Sequence, residues 1–272
     1  MIALPPPELL DIAGGDARAF AHAQFSSDVA SLAVGQWQWS AWLTPQGRVR
    51  YFFALMRESE DRLRLVLRGG DATTLRAALA PYVLRAKVEL RAVSGVAAYG
   101  VNADEAHGAL GGIPAPGAIL YHGDLCGFSV PGTPVRICLL GPAGLGGAAA
   151  LERWRLADIR AGLPEVPPAL AERALPQWLG LERLGAVSVR KGCYPGQEVM
   201  ARLHFKGGNK RVLQHVEFRH ETALETGATV PGSGDNGPLA VMSARNEDGR
   251  QEALLIAGDD AAGEFKVVSR FS

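Results

Sequence analysis

The chain has 272 residues, of which 47% are hydrophobic and 21% are charged, a balance that is typical of a folded globular protein and argues against a disordered one. Its 28 Lys and Arg residues equal its 28 Asp and Glu residues, so no overall basic field favours bulk binding of nucleic acid. The three cysteines, Cys126, Cys138 and Cys193, are odd in number and widely spaced, which excludes a disulfide framework and argues against a structural zinc site.

The ends and apolar stretches of the chain bear on its location. The first ten residues carry prolines and an acid instead of a basic start and a long apolar run, which is not the pattern of a signal peptide. No stretch approaches ~18 uninterrupted apolar residues, so we expect no membrane span. These features predict a cytoplasmic protein, and nothing in the sequence demands more than a monomer. We expect no metal site and no direct binding of nucleic acid.

The first half of the chain predicts an α+β unit. Asp16 is placed to begin a short helix that runs to Gln24. Asp71 begins a second helix, and one apolar stripe of this helix contains Leu75, Leu79, Tyr82 and Val83. Alternating apolar residues predict a hairpin with its turn at 44–47, and strands at 37–43, 49–55, 63–67 and 88–90.

The second half of the chain predicts further strands and one helix, followed by a region of short, regularly spaced strands. Short strands are predicted at 118–122, 126–130 and 135–141, and a helix is predicted from about Ala148 to Ala161, where Gly162 and Pro164 stop it. Short, regularly spaced strands then predict a small antiparallel β-barrel, with strands at 211–219, 227–231, 238–243, 252–257 and 264–271 and turns at 232–237 and 247–249. We therefore predict two parts of the chain, 1–208 and 209–272.

Residues 191–198, Lys-Gly-Cys-Tyr-Pro-Gly-Gln-Glu, form the segment that carries chemistry. Glycines predict a tight loop that runs into a helix, with Pro195 and Glu198 in its first turn and Cys193 just before it. Basic residues on both sides, Arg190, Lys191, Arg202 and Lys206, favour the thiolate form of cysteine. We predict a reactive Cys193. The alternative is that Cys193 is a buried structural thiol in a glycine-shaped turn.

This segment resembles the signature of the YgfZ family, K-G-C-Y-x-G-Q-E followed by V-A-R and G-x-x-K-R. Every named position of the octapeptide is matched, and residues 199–202 and 207–211 carry the continuation, the former with one insertion-like variation. The resemblance covers most of the chain and is weakest in the C-terminal barrel. The other segments that resemble the family are 158–164, 175–177, 184–188, 15–17 and 45–48.

The resemblance implies a fold and a function. The fold is the α+β fold of the glycine-cleavage T-protein, with three subdomains around a central folate pocket, two of them interleaved in residues 1–208. Tetrahydrofolate is the implied cofactor. The implied partners are iron–sulfur client or assembly proteins, which the protein supports and through which it affects tRNA modification. The protein itself is not expected to hold a cluster, because a cluster usually needs four protein ligands.

The resemblance also implies site residues. Trp154 occupies a folate-contacting position of the family, and its flat indole suits stacking on a pterin or benzoate ring; the alternative is that it packs in the core. Lys191 and Cys193 are the implied reactive pair, and Gln197, Glu198 and Arg202 are expected at the folate site. For Gln197 and Glu198 the alternative is capping of the helix start. A second tryptophan of the family has no match, since residues 5–7 are prolines.

Three functions stay open on the sequence, and whether the protein is an enzyme is undecided. The first is a folate-binding protein with a reactive cysteine. The second is an aminomethyltransferase like the T-protein, but the chain is short for that enzyme, and the position of its catalytic carboxylate falls on Leu75, with Asp71 better placed as a helix cap. The third is a non-catalytic folate-sensing adaptor that uses Lys191, Gln197 and Glu198 as a partner surface.

Overall fold

The computed structural model of this chain describes residues 1–147, 150–207, 210–218, 224–230, 237–246, 248–258 and 265–271. Its strands are β1 (Ile2–Ala3), β2 (Leu9–Ala13), β3 (Gln36–Leu43), β4 (Val49–Arg57), β5 (Arg62–Leu67), β6 (Glu89–Val93), β7 (Ala97–Val101), β8 (Ile119–His122), β9 (Leu125–Val130), β10 (Arg136–Gly141), β11 (Val212–Phe218), β12 (Leu239–Arg245), β13 (Gln251–Ala257) and β14 (Lys266–Phe271). Its helices are α1 (Ala17–Gln24), α2 (Ala72–Leu79), α3 (Ala103–Leu110), α4 (Leu151–Ala161) and α5 (Gln197–Lys206).

The first sheet, which we call the N-terminal sheet, is antiparallel with the strand order β3-β4-β5-β2-β6. Side chains alternate between the two faces of each strand. One face, which includes Trp42, packs against α1 and α2 around a core of its own, whereas Trp39 and Ala41 on the other face join the largest core cluster. The strand β2 lies between β5 and β6, and the sequence analysis did not predict it.

The second sheet has the order β1-β7-β10-β9-β8, and α3 packs on one of its faces. The predicted strands at 118–122, 126–130 and 135–141 are confirmed as β8, β9 and β10. The strand β7 and the helix α3 were not predicted. The helix begins with a capping box, in which the Asn102 side chain accepts from the Glu105 amide and the Glu105 side chain accepts from the Asn102 amide.

The C-terminal strands form a four-stranded antiparallel sheet in the order β12-β13-β11-β14. The closed barrel predicted for this region is not confirmed, because the residues that the structure describes contain no closed sheet. The strand predicted at 227–231 contributes a single bridge between Thr229 and Leu239, and residue 231 lies outside the described residues. Most of the two predicted turns, 232–236 and 247, lies outside them as well. The boundary at 208 stays a prediction.

Two helices of the second half differ from their predicted starts. The helix α4 begins at Leu151 and ends at Ala161 with Gly162 as its cap, as expected, but residues 148 and 149 of its predicted start lie outside the described residues. The helix α5 begins at Gln197 with Gly196 at its cap position. Pro195 therefore precedes the cap, and its predicted place in the first turn is wrong. Glu198 lies in the first turn as predicted.

A buried ionic cluster joins α4 to the C-terminal sheet. Arg160 of α4 donates from Nε and Nη2 to the two carboxylate oxygens of Glu252, at 2.9 and 2.6 Å. His215 and Asn246 bond to the same carboxylate, at 2.9 and 3.1 Å. Burial favours the neutral acid, but the hydrogen bonds from Arg160, Asn246 and His215 outweigh it and lower the pKa of Glu252 to about 2. Glu252 is therefore a carboxylate that fixes α4 against the sheet.

Candidate functional site

A cavity of about 300 Å³ lies where the N-terminal sheet, the second sheet and α4 meet. Its volume is at the lower end of the ~300–1,000 Å³ that is usual for pockets that hold drug-sized ligands. The wall is mainly apolar, and several charged side chains interrupt it. Its lining comes from residues 4–8, from Trp39, Ala54 and 66–70 of the N-terminal sheet, from Ala98, Phe128, Val130 and Cys138 of the second sheet, and from α4 and the segment that follows it.

The helix α4 contributes a stripe of four residues to the cavity: Leu151, Trp154, Arg155 and Asp158. These positions are three, four and seven residues from the first, so they lie on one face of an α-helix. Of this stripe only Trp154 was predicted as a site residue. The spacing alone could have pointed to the other three, but an arginine or an aspartate on a helix is usually exposed to solvent, so the residue type gives no signal.

Trp154 is 8% exposed and is held in one orientation. The Arg136 guanidinium carbon lies 4.5 Å from the ring centroid, and Arg136 Nη1 donates to the Trp154 carbonyl at 3.2 Å. Gly100 of β7 faces the benzo ring so closely that a Cβ there would lie 2.4, 2.6 and 2.8 Å from three ring atoms. Trp154 therefore packs in the core and also lines the cavity, and its contact with folate stays a prediction.

Asp158 is the charged centre beneath the cavity. It is 2% exposed and accepts from Arg68 Nη2 at 2.9 Å and from Arg136 Nη2 at 2.7 Å. Burial works against the charge of Arg68, but Asp158 and, at 3.7 Å, Glu165 outweigh it and raise the pKa of Arg68. Two arginines and two carboxylates thus compensate one another. Sequence reasoning missed this cluster because Arg68 and Asp158 are 90 positions apart in the chain.

The carboxylate expected of an aminomethyltransferase is not at the position that the resemblance implies. Asp71 caps α2, where its Oδ1 accepts from the Thr74 amide at 2.6 Å, as the sequence analysis predicted. Leu75 is fully buried in the core between α2 and the N-terminal sheet. Neither residue lines the cavity, whose carboxylates come instead from Glu8, Asp158 and Glu165.

The cysteine loop, residues 190–196, lies elsewhere on the N-terminal sheet. The segment before it runs beside residues 25–27, which pair with the outer edge of β3: the Ser188 amide donates to the Ser26 carbonyl at 2.8 Å. Gly196 is seated against the turn between β3 and β4, where a Cβ would lie 2.6 Å from the Thr44 carbonyl oxygen. Cys193 is exposed and free, three residues before the cap of α5. Its predicted place before the helix is confirmed, and a buried structural thiol is wrong.

Lys191 points away from Cys193 and into the protein. It is 8% exposed, its Nζ donates to the carbonyl oxygens of His22 and Phe25 at the end of α1, and it lies 4.8 Å from the Tyr194 ring centroid. Burial lowers the pKa of Lys191 to about 8. These contacts make Lys191 the anchor of the cysteine loop on α1. Its role as a reactive partner of Cys193 stays a prediction.

The other three predicted folate contacts lie on α5. Gln197 is half-buried, and its Nε2 donates to the Lys191 carbonyl at 3.0 Å, so it closes the cysteine loop on the helix start. Glu198 and Arg202 are exposed. None of the three lines the cavity, which touches β3 at Trp39, whereas the loop is seated at Thr44. Five residues of strand span roughly 16 Å. Folate contact by Gln197, Glu198 and Arg202 stays a prediction.

The two remaining cysteines are buried in the second sheet, as predicted. Burial raises the pKa of Cys126 and of Cys138 to about 12, so both thiols stay protonated. In the described part of the chain, no group of three His, Cys, Asp or Glu residues is arranged to hold a metal ion. None of the helices described there has the length and apolar character that crossing a membrane requires.

Comparisons with known proteins bear on the whole chain. No family model matches it. The chain is 28% identical to a tRNA-modifying protein YgfZ of Sodalis glossinidius (strain morsitans) over 98% of its own length and 91% of the relative. It is also 28% identical to a tRNA-modifying protein YgfZ of Vibrio vulnificus (strain YJ016), over 94% of its length and 83% of the relative.

A solved structure supports the fold. The crystal structure of glycine cleavage system aminomethyltransferase T from Bartonella henselae matches with a TM-score of 0.71. The match covers 100% of this chain and 82% of that one, at 16% sequence identity. Such a similarity establishes a shared architecture across the whole chain, and at this identity it carries no information about activity.

Proposed function

This chain is a YgfZ-family protein with a T-protein-like fold, and on that premise we propose that it binds tetrahydrofolate in the cavity beside Trp154. In this proposal it supports the assembly or repair of iron–sulfur enzymes in the cytoplasm and thereby affects tRNA modification. The observation that carries the folate part is the cavity wall. Trp154 offers an oriented aromatic surface, and the apolar lining beside it suits a flat heteroaromatic ring.

The residues around the cavity suit a pterin chemically. A pterin presents donors and acceptors along one edge of a flat ring, and the wall combines Trp154 with the carboxylates Glu8 and Glu165 and with the guanidinium of Arg68. Buried polar edges of a ligand need such partners, because an unpaired polar group in an apolar cavity is unfavourable. The protein's part is to orient the ring and to exclude water from it.

An aminomethyltransferase is the weaker candidate. That reaction needs a carboxylate at the folate amine, and the two residues nearest to the expected position, Asp71 and Leu75, lie off the cavity as a helix cap and a core residue. Asp158 already binds two arginines. Glu8 is also engaged, because it accepts from the Ala72 amide at the start of α2 at 2.9 Å.

The folate part is tested by calorimetric titration of the reduced protein with tetrahydrofolate. We expect Trp154→Phe to weaken binding by about 3- to 10-fold, the value of one lost aromatic contact. Phenylalanine keeps most of the core packing, so the variant should fold. Trp178→Phe is the matched control, since this half-buried tryptophan lies between Arg48 and Arg211 and does not line the cavity. A native protein that does not bind tetrahydrofolate overturns the folate proposal.

The role of the thiol is tested separately from folate binding. Cys193 is exposed, so Cys193→Ser leaves the packing intact. In cells whose only copy of the gene carries Cys193→Ser, we expect the amount of thiolated nucleosides in bulk tRNA to fall while purified protein binds tetrahydrofolate normally. Unchanged thiolation would favour the folate-sensing adaptor. In that case Glu198→Gln, also at an exposed position, should reduce thiolation instead.

A further inference from the structure

The charges that line the cavity are compensated with one exception. Asp158 binds Arg68 and Arg136, and Glu165 lies 3.7 Å from Arg68. Glu8 accepts from a backbone amide at the positive end of α2. Arg155 has no such partner: within the described chain, no carboxylate or hydrogen-bond acceptor contacts it, and its Nε is closed off from solvent without a partner.

Arg155 lies in the cavity wall beside Trp154. It follows Trp154 directly, lies one helical turn before Asp158 and lines the cavity with both. The side chain as a whole is half-buried, whereas its Nε is inaccessible to solvent. Arg68, which also lines the cavity and also has an Nε without a partner, differs from Arg155 because it pairs with Asp158 through Nη2.

The chemistry of an acceptor for Arg155 follows from the guanidinium. Arginine binds carboxylates through a planar fork of N–H groups, commonly by two parallel hydrogen bonds. Solvent does not reach Nε of Arg155, so its two terminal nitrogens would form these bonds. A carboxylate on a ligand would pair with Arg155, the guanidinium of the cavity wall for which the described chain supplies no ion-pair partner. We propose that Arg155 is the carboxylate subsite of the cavity and that it binds the glutamate of a folate. This inference rests on the proposed function.

The same placement gives the bound ligand a direction. An aromatic ring beside Trp154 and a carboxylate at the adjacent Arg155 correspond to the order of groups in a folate, in which the glutamate is joined to the aromatic part. A pterin without that tail uses only the aromatic wall. Arg155 therefore distinguishes folates from simple pterins, and it contributes to the affinity for the former alone.

The test is a calorimetric titration of three ligands into three forms of the full chain. The ligands are tetrahydrofolate, 6-methyltetrahydropterin, which lacks the tail, and glutamate alone. The forms are the native protein, Arg155→Gln and the control Arg76→Gln, which changes an exposed arginine on α2 away from the cavity. Because Arg155 forms no hydrogen bond or ion pair within the described chain and glutamine keeps most of its aliphatic stem, Arg155→Gln should unfold close to the native temperature, which the same samples establish.

We expect Arg155→Gln to weaken tetrahydrofolate binding by about 10- to 100-fold, the effect of losing charge-assisted hydrogen bonds, and to leave 6-methyltetrahydropterin binding unchanged. Arg76→Gln should bind every ligand like the native protein. Equal losses for both pterin ligands, or no loss, would overturn the subsite while leaving the folate proposal standing. Glutamate alone binding as tightly as tetrahydrofolate would mean a site for free carboxylates and would also overturn it. No binding of tetrahydrofolate to the native protein would remove both proposals.

Discussion

Gly100→Ala should displace Trp154 with a single methyl group. The added Cβ would lie 2.4, 2.6 and 2.8 Å from three adjacent atoms of the benzo ring, whereas carbon atoms in contact stay about 3.5–4.0 Å apart. The indole must therefore move by about 1 Å. The backbone of Gly100 is not in the left-handed region, so alanine is strained there only by this contact.

The cost can be estimated from the packing. Inserting a methyl group into a filled core costs about 1–3 kcal/mol. Trp154 is also held by Arg136 at its carbonyl and over its ring, so it cannot move freely along the sheet. Because Trp154 lines the cavity, a displaced indole changes the shape of the cavity wall. We expect lower stability and weaker binding of tetrahydrofolate from the same substitution.

Urea unfolding and calorimetric titration measure the two effects. Gly108→Ala is the matched control, because a Cβ at this position in α3 would meet no atom within 4 Å. Alanine in a helix is about 0.5–1 kcal/mol more favourable than glycine, so the control should be as stable as the native protein or slightly more so. If Gly100→Ala retains native stability and native affinity, Trp154 is not packed against β7 as described, and the reasoning fails.

Three further predictions concern the ionic cluster and the cysteine loop. The pKa of Glu252 is lowered from its usual 4.5 to about 2, so the stability that this carboxylate contributes is present above pH 4.5 and is lost as the pH falls toward 2. Glu252→Gln should remove this dependence, about 3 kcal/mol, from urea unfolding measured across that range. Folding lowers the pKa of Lys191 from 10.5 to about 8, so between these pH values the unfolded chain binds more protons than the native protein. The free energy of unfolding should therefore rise with pH in this range, whereas Lys191→Met should show no such rise. Gly196→Ala should lower the thermal unfolding midpoint, because its φ is 81° and a Cβ would overlap backbone atoms of the hairpin turn, while Gly192→Ala, with open space around it, should not.

Most of the predicted elements follow from local sequence patterns. The hairpin of β3 and β4, the helix capped by Asp71 and the strands β8 to β10 each have a pattern that is complete within a short window. The strand β2 and the helix α3 were not predicted, for two different reasons. The strand β2, Leu-Leu-Asp-Ile-Ala, is buried along most of its length and shows no alternation. The helix α3 did carry a signal, the capping pair Asn102 and Glu105, which could have been read.

The residues of the candidate site likewise fall into two groups, those that a local sequence pattern marks and those that come together only on folding. Cys193 and Trp154 were found because a contiguous motif and a family position marked them. The polar part of the cavity was not, because it exists only after the chain has folded. Asp158 is buried between arginines from two different sheets, and one of these, Arg68, comes from the end of β5. No window of sequence contains such a cluster. For the same reason the anchoring of Lys191 on α1, across more than 160 residues, was out of reach.

The cavity and the cysteine loop lie at different places along the β3–β4 hairpin, which bears on the role of the Cys193 thiol. The cavity touches the β3–β4 hairpin at Trp39, and the cysteine loop is seated on its turn, roughly 16 Å along the strand. Cys193 does not line the cavity and is open to solvent. The thiol is accessible to a protein that approaches from outside. If the proposed folate binding and the proposed thiol function both hold, the β3–β4 hairpin, which contributes to the cavity and also contacts the cysteine loop, is the element that connects them.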